Sequence, residues 1–328
     1  MKLRPFDPAS DADYATLAAL LNATTPDYPT TPGDIREWDG KREERARFGR
    51  WFAEEGGRPV GVCSHDQMPW QYHPRRFFID VRVEPEWQGR GIGAAMYRHI
   101  LDAIEPHEPL SVKTMVREDW ERSMRFVTDR GFVEILRAHE SRLDLPAFDL
   151  GPFREALDAP AAHGVVLKTL AELWSESDVP RRLHALDVEL LKDLPTAEPI
   201  TPLTLEQFEK LVLGSSHLLK DAYAVAVDEA TGAWVGVNAL WKRSADNDLD
   251  NGLTGVVRSH RRRGIALALK LKNIAWAKAN GFQYIRTDNE VNNVGMLAIN
   301  ERLGFRRVPP WIEFSKTLRE EPAEGTSE

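Results

Sequence analysis

Two short stretches carry residue types suited to holding a phosphorylated ligand: "QGRGIG" at 88–93 and "RRRGIA" at 261–266. Each follows an apolar run of strand character, "RFFIDVRV" at 76–83 and "LTGVV" at 253–257. Each opens a long helical run, "IGAAMYRHILDAIE" and "LALKLKNIAWAKANG". A helix start presents free backbone N–H groups and a partial positive charge. Glycine lets that backbone approach a ligand closely, so a strand–turn–helix of this kind is an anion site. Arg90 and Arg261, Arg262 and Arg263 add fixed positive charge, in a chain whose net charge is −8.

Three phosphate motifs compete for these residues. A P-loop requires Gly-Lys-Ser/Thr, which is absent. A dinucleotide fingerprint fits Gly89, Gly91 and Ala94, but "EPEW" separates the glycines from the strand and no acidic residue ends the next strand at the expected distance. Both stretches share a third pattern: Gln or Arg, two residues, Gly, one residue, Gly or Ala.

The two turns belong to an internal repeat. Laying Gln88 on Arg261 puts Arg90 on Arg263, Gly91 on Gly264, Ile92 on Ile265, Thr114 on Thr287, and Gly131–Phe132 on Gly304–Phe305. Upstream, "PVGV" at 59–62 matches "WVGV" at 234–237 after a shift of two residues. A period this long means duplicated domains rather than a solenoid. Each copy reads as a hairpin, a strand, the glycine turn, a long helix, a strand, a second helix stopped by glycine, and a closing strand. The expected fold class is α/β: two tandem domains, each a mixed, mostly antiparallel sheet with flanking helices. Pro146, Gly151, Pro152 and Pro160 mark a linker at 146–163. That places one domain at 1–145, the other at 164–318, and an acidic, apolar-poor tail at 319–328.

Composition narrows the classes. A chain of 328 residues with 42% apolar content suits two domains with real cores. The acidic balance argues against nucleic-acid binding. The single cysteine, Cys63, forms no intramolecular disulfide and reads as a small buried apolar residue. Neither a signal peptide nor a membrane-spanning stretch is visible, and the cytoplasm is expected. The histidines show no metal-ligand spacing, so no metal is expected. The tryptophans read as core and hairpin packing, with Trp70 or Trp241 available to an acceptor pocket.

The turn, its place between strand and long helix, the "VGV" hairpin and the terminal "LGF" helix together resemble the GNAT superfamily of N-acetyltransferases. The resemblance covers both copies. Two such domains in one chain resemble mycothiol synthase and other tandem GNAT proteins, without residues that carry that substrate. In such proteins the turn grips the pyrophosphate of coenzyme A. The resemblance therefore implies acetyl-CoA as co-substrate. It implies a cofactor set of Gln88, Gly89, Arg90, Gly91, Ile92, Gly93 and Ala94 in copy one. In copy two the set is Arg261, Arg262, Arg263, Gly264, Ile265 and Ala266. Strand-four ends Val81 and Val83, and Val256 and Val257, would hold the pantetheine arm and the thioester carbonyl. Asn293, eleven residues before Gly304, and Asn289 would join the site.

The resemblance also implies direct attack by an amine, helped by a base. Asp250, eleven residues before Arg261, stands where relatives keep a carboxylate; it also lies in "ADNDLDNG", which reads as a solvated loop. In copy one that position is Phe77, and Glu84 is the next carboxylate to consider. The tyrosine that many relatives use as the acid is Val127 in copy one and Asn300 in copy two. Thiolate departure is then left to water or Asn300, or a copy does no chemistry. Copy two, with its arginines, Thr287 and asparagines, is the expected catalytic copy.

The leading expectation is an N-acyltransferase acting on a small amine or an amino terminus, as a monomer or homodimer. A non-catalytic acyl-CoA-binding sensor or scaffold, and a nucleotide-dependent enzyme, stand beside it.

Overall fold

The apolar alternation of each copy builds a sheet, and the glycine turns send the chain into helices laid on it. The computed structural model describes residues 1–196 and 200–321, so most of the expected tail lies outside the described residues. The chain forms two compact units. The first holds Met1–Arg137 with residues 200–201 and 311–321. The second holds Ala138–Thr196 and Pro202–Pro310.

The first unit begins with β1 (Lys2–Pro5), α1 (Asp11–Thr24), α2 (Pro32–Lys41), β2 (Gly49–Glu55) and β3 (Arg58–Asp66). It continues with β4 (Arg76–Val83), α3 (Ile92–Ile104), β5 (Ser111–Arg117) and α4 (Glu121–Thr128). Strand β6 (Val133–Asp144) comes next, then α5 (Arg154–Asp158), β7 (Val165–Thr169), α6 (Leu170–Leu173), α7 (Val179–Leu191) and α8 (Leu205–Phe208). The second unit goes on with β8 (Leu218–Asp228), β9 (Trp234–Lys242), β10 (Leu249–Val256), α9 (Ile265–Ala279), β11 (Tyr284–Glu290), α10 (Val294–Arg302) and β12 (Arg306–Arg307). The last strand is β13 (Trp311–Thr317).

The first unit's strands lie in the order β1-β2-β3-β4-β5-β13. The second unit's order is β6-β11-β10-β9-β8-β7, with β12 also on β6. The pairs β4–β5 and β10–β11 are parallel and the other pairs within these sheets antiparallel. The mixed, mostly antiparallel sheet expected for each copy is present.

The closing strands are exchanged. Copy one's β6 pairs with β11 of the second unit, from Asp144↔Tyr284 to Ala138↔Glu290. Copy two's β13 pairs with β5 of the first unit, from Thr317↔Ser111 to Trp311↔Arg117. The compact units therefore divide the chain differently from cuts at 145 and 164. Two copies of one fold offer equivalent edge positions, so trading an equivalent strand costs little. The trade is complete in the cores. Ile312 and Phe314 are buried with Met96, Ile100 and Val112, and Leu143 is buried with Leu267 and Ile285.

Both sheets open into a fork. Strands β4 and β5 pair only from Arg76↔Ser111 to Phe78↔Lys113. Strands β10 and β11 pair only from Leu249↔Ile285 to Asn251↔Thr287. In the second unit the fork coincides with a bulge, because the β10–β9 register shifts between Asn251 and Thr254. The first unit's β3–β4 ladder runs without a shift. The "VGV" glycines explain themselves here. A Cβ on Gly61 would sit 2.7 Å from the Arg82 carbonyl oxygen, and one on Gly236 2.9 Å from that of Gly255.

Candidate cofactor and acceptor site

The repeated turn is the same structure made twice. Strand β4 runs through a short 3₁₀ turn at Pro85–Trp87 into α3, and β10 through one at Arg258–His260 into α9. Gly91 and Gly264 are the N-caps, with φ of 82° and 75°. Neither cap carries a side-chain hydrogen bond, so the first N–H groups of each helix face outward without one. Side chains brace the turn identically. Gln88 Nε2 donates to the Val83 carbonyl (3.0 Å) and Arg261 Nε to that of Val256 (2.9 Å). Arg90 Nη2 donates to the Glu86 carbonyl and Arg263 Nη2 to that of Ser259, both at 3.0 Å.

In the second unit the turn opens onto a cleft of about 380 Å³ lined by Val256, Arg261, Arg262, Gly264 and Ile265, with Ile299 and Arg302 across from them on α10. The arginines around the turn differ in freedom. Arg261 and Arg258 are tied to Asp193, whose carboxyl these guanidiniums hold down at about 2. Arg263 donates from Nη2 alone, to the Ser259 carbonyl. Arg262 and Arg302 make no side-chain hydrogen bond or ion pair among the described residues.

Across the sheet from α9 lies a charged face. Asp250 stands opposite Arg286, Arg286 opposite Arg142, and Asp288 opposite Glu140. The two-residue period puts all five on one face. The alternate residues Leu249, Ile285 and Leu143 go to the α9 core. Trp241, opposite Asp250, packs with the α7 core, so the charged face is on the α7 side.

Asp250 belongs to β10, although its polar neighbours read as a loop. Arg243 donates to both its oxygens at 3.2 and 3.0 Å. Its crowded setting raises the carboxyl above the ordinary range, against the pull of Arg243. Arg286 pairs with Asp248, and Arg142 with Glu140 at 2.8 Å.

Two further carboxyls on the α7 side carry no sequence signature. Asp288 is exposed in the fork, yet desolvation by its surroundings, then Glu140 and Asp250, push it up to about 7. Asp187, on α7, is pushed up to about 6 by burial, with His184 opposing. It lies near buried Tyr223, whose hydroxyl is raised by burial and by Asp187.

Behind the bulge sits a buried amide network. Asn273 Nδ2 donates to the Asn238 carbonyl and side chain, both at 2.7 Å. Asn238 Nδ2 donates to Asn251 (2.8 Å) and Thr254 (2.7 Å). Lys270, 2% exposed, donates to Asn251 at 3.1 Å, and burial pulls its amine down to about 7. Asn293 caps α10, accepting from the Met296 N–H. Asn300 is buried and donates to Asn289 at 2.6 Å, so its amide faces its neighbour.

In the first unit Glu84 directly follows β4 and accepts from Arg58 at 2.7 Å. Val81 and Val83 pack on the core, with Gly93 beside them. Trp120 stands at the N-cap that Asn293 fills in the second unit, without a capping bond. Cys63 is buried at 1% exposure and its thiol is pushed up to about 12. Among the described residues no group of three or more His, Cys, Asp or Glu is arranged to hold a metal, and no helix is long and apolar enough to cross a membrane.

Strand four, fork, glycine turn and long helix, present in both units, define a tandem GNAT fold. The chain carries a GNAT acetyltransferase domain: residues 15–132 match the family model described as Acetyltransferase (GNAT) family. Two solved structures share the whole architecture. A tandem GNAT protein from the clavulanic acid biosynthesis pathway is 22% identical, with TM-score 0.77, over 98% of this chain and 99% of its own. A GCN5-related N-acetyltransferase from Sphaerobacter thermophilus is 17% identical, with TM-score 0.70, over 97% and 96%. No curated protein matches the chain in sequence. The family supports acyl transfer in general.

Proposed function

We propose that the chain is an acyl-CoA-dependent N-acyltransferase that moves acetyl from acetyl-CoA to a primary amine by direct attack, and that the second unit holds the donor. The observation that carries this reading is the cleft at the start of α9, where an uncapped helix N-terminus, Arg261, Arg262 and Arg302 line one space beside a bulged, forked strand. The phosphates of coenzyme A suit that end. The pantetheine arm then runs along Val256 and Val257 into the fork. Beyond Asn251, β10 has no partner on β11, so its backbone is available to the thioester and its oxyanion. The acceptor approaches from the α7 side, where Asp250 and its neighbours supply negative charge for an ammonium.

Calorimetry with acetyl-CoA, NAD and ATP, and coenzyme A release with a thiol reagent across an amine panel, test the reading. Binding of NAD or ATP in preference to acetyl-CoA overturns it. One observation favours a second reading, a non-catalytic acyl-CoA sensor. No tyrosine stands at Val127 or Asn300, and Asn300 is occupied by Asn289. Tight acetyl-CoA binding without release to any amine would select the sensor.

A further inference from the structure

We propose that Asp288 is the general base of the second unit, the group that takes the proton from the acceptor ammonium, and that Asp250 is a positioning residue beside it. The proposal rests on the acyltransferase reading and names a residue for its chemical step.

The argument is geometric. The last rung joining β10 to β11 is Asn251↔Thr287. Asp288 is the next residue of β11, the first inside the fork, where a thioester carbon held on β10 would lie. The two-residue period turns its side chain to the α7 side, the same face as Asp250. Among the described residues the Asp288 side chain has no hydrogen bond or ion pair. Asp250, by contrast, gives both oxygens to Arg243. An ammonium approaching Asp250 would have to share those oxygens with the guanidinium. The charged groups facing Asp288 are Glu140 and Arg142 from β6, Asp250 from β10 and Arg286 from its own strand. Arg142 is paired with Glu140 and Arg286 with Asp248, so both act on Asp288 through space only, without a hydrogen bond to it. Its raised affinity for a proton suits a base working near neutral pH.

The step balances. The ammonium of the acceptor gives one proton to the Asp288 carboxylate, which later returns it to solvent. The amine nitrogen then forms a bond to the thioester carbon. The carbon–sulfur bond breaks, and the second nitrogen proton goes to the departing thiolate, giving an amide and free coenzyme A.

Two probe acceptors separate base catalysis from folding. n-Butylamine is protonated at neutral pH and needs a base; hydroxylamine is already unprotonated. In the full chain, Asp288→Asn is expected to slow acetyl transfer to n-butylamine by about 10²–10⁴-fold and to remove the acid limb of the pH–rate profile. Transfer to hydroxylamine stays within about twofold, on the scale of that loss. Asp250→Asn keeps the acid limb. A profile unchanged in Asp288→Asn, or equal losses with both probes, overturns the proposal. Carbon-13 NMR of aspartate-labelled protein decides it where neither probe reacts. A carboxyl titrating near 7 and lost in Asp288→Asn supports the assignment; its absence, or its persistence in the variant, refutes it. A chain that binds no acetyl-CoA by calorimetry instead refutes the acyltransferase reading, and that result is distinct from failure of Asp288 alone.

Discussion

Arg262 occupies in the second unit the backbone position that Gly89 occupies in the first, with φ of +63° against +79°. The left-handed region suits glycine and strains a residue with a Cβ by roughly 1–2 kcal/mol. The turn therefore has one shape in both units, built on a glycine in the first and on a cation facing the cleft in the second.

That pairing predicts a stability–binding trade in Arg262→Gly. Relief of strain, offset in part by the greater freedom of glycine in the unfolded chain, should leave the variant about 0.5–1 kcal/mol more stable. Urea unfolding measures this, and acetyl-CoA affinity should fall in the same variant. A less stable variant would mean that the Arg262 side chain holds the turn together.

The exchanged strands make a prediction that sequence position alone would get wrong. Ile312 belongs to copy two by sequence, yet it is fully buried among Val112, Val116 and Ile100 of the first unit. Ile312→Ala should cost about 2–5 kcal/mol. Hydrogen exchange should speed in α3, β4 and β5 and stay unchanged in β9–β11. Loosening of β11 instead would show that β13 remains with its own copy.

The glycine turns, long helices, hairpins and repeat were legible because each rests on local chemistry: periodicity, a glycine at positive φ, a helix stop. The exchange was not. "VEILRAHESRLD" and "WIEFSKT" are both plain alternating strands, and alternation records which face is buried but not which neighbour is paired. Asp250 is marked in the sequence by its spacing from the turn, but its polar neighbours hide the strand that contains it. Its pairing with Arg243 depends on where the chain bends after β9. Asp288 carries no signal in the sequence, because its setting comes from desolvation in the folded sheet and from Glu140, a residue far away in sequence that only the exchanged β6 brings opposite it. Asp193 is remote from Arg261 in the same way, and what it does to the turn appears only in three dimensions.

Lys270 predicts a pH dependence of stability. Burial lowers its amine from the ordinary lysine value of 10.5 to about 7. The unfolded chain therefore binds more protons between these values, so stability falls as pH drops from about 10.5 to about 7 and levels off below. Lys270→Met removes the titrating group, and Asn251 keeps its bond from Asn238. The variant should flatten the curve in that window and be more stable at pH 7. Denaturant unfolding across the range measures both, and an unchanged slope would show that Lys270 reaches water.

The matched arginines Arg263 and Arg90 decide which unit holds the donor. Each spends one guanidinium nitrogen on the carbonyl of the preceding 3₁₀ turn, so reversing either charge disturbs the local brace equally. Only the unit that grips phosphate should respond in affinity. Arg263→Glu is expected to weaken acetyl-CoA binding by the loss of one charge-assisted contact, about 1.5–3 kcal/mol, or roughly tenfold and more. Arg90→Glu should leave the dissociation constant within about twofold, far from a tenfold step. Arg263→Gln separates charge from brace: it removes the charge without introducing a repulsive one and should fall between wild type and Arg263→Glu. Raising ionic strength should narrow the gap among these variants, since the exposed charges are screened. Calorimetry with acetyl-CoA reads all of these effects. Equal losses in Arg90→Glu and Arg263→Glu would mean that both turns hold donor molecules. A loss in Arg90→Glu alone would move the donor, and with it the search for the base, to the first unit and Glu84.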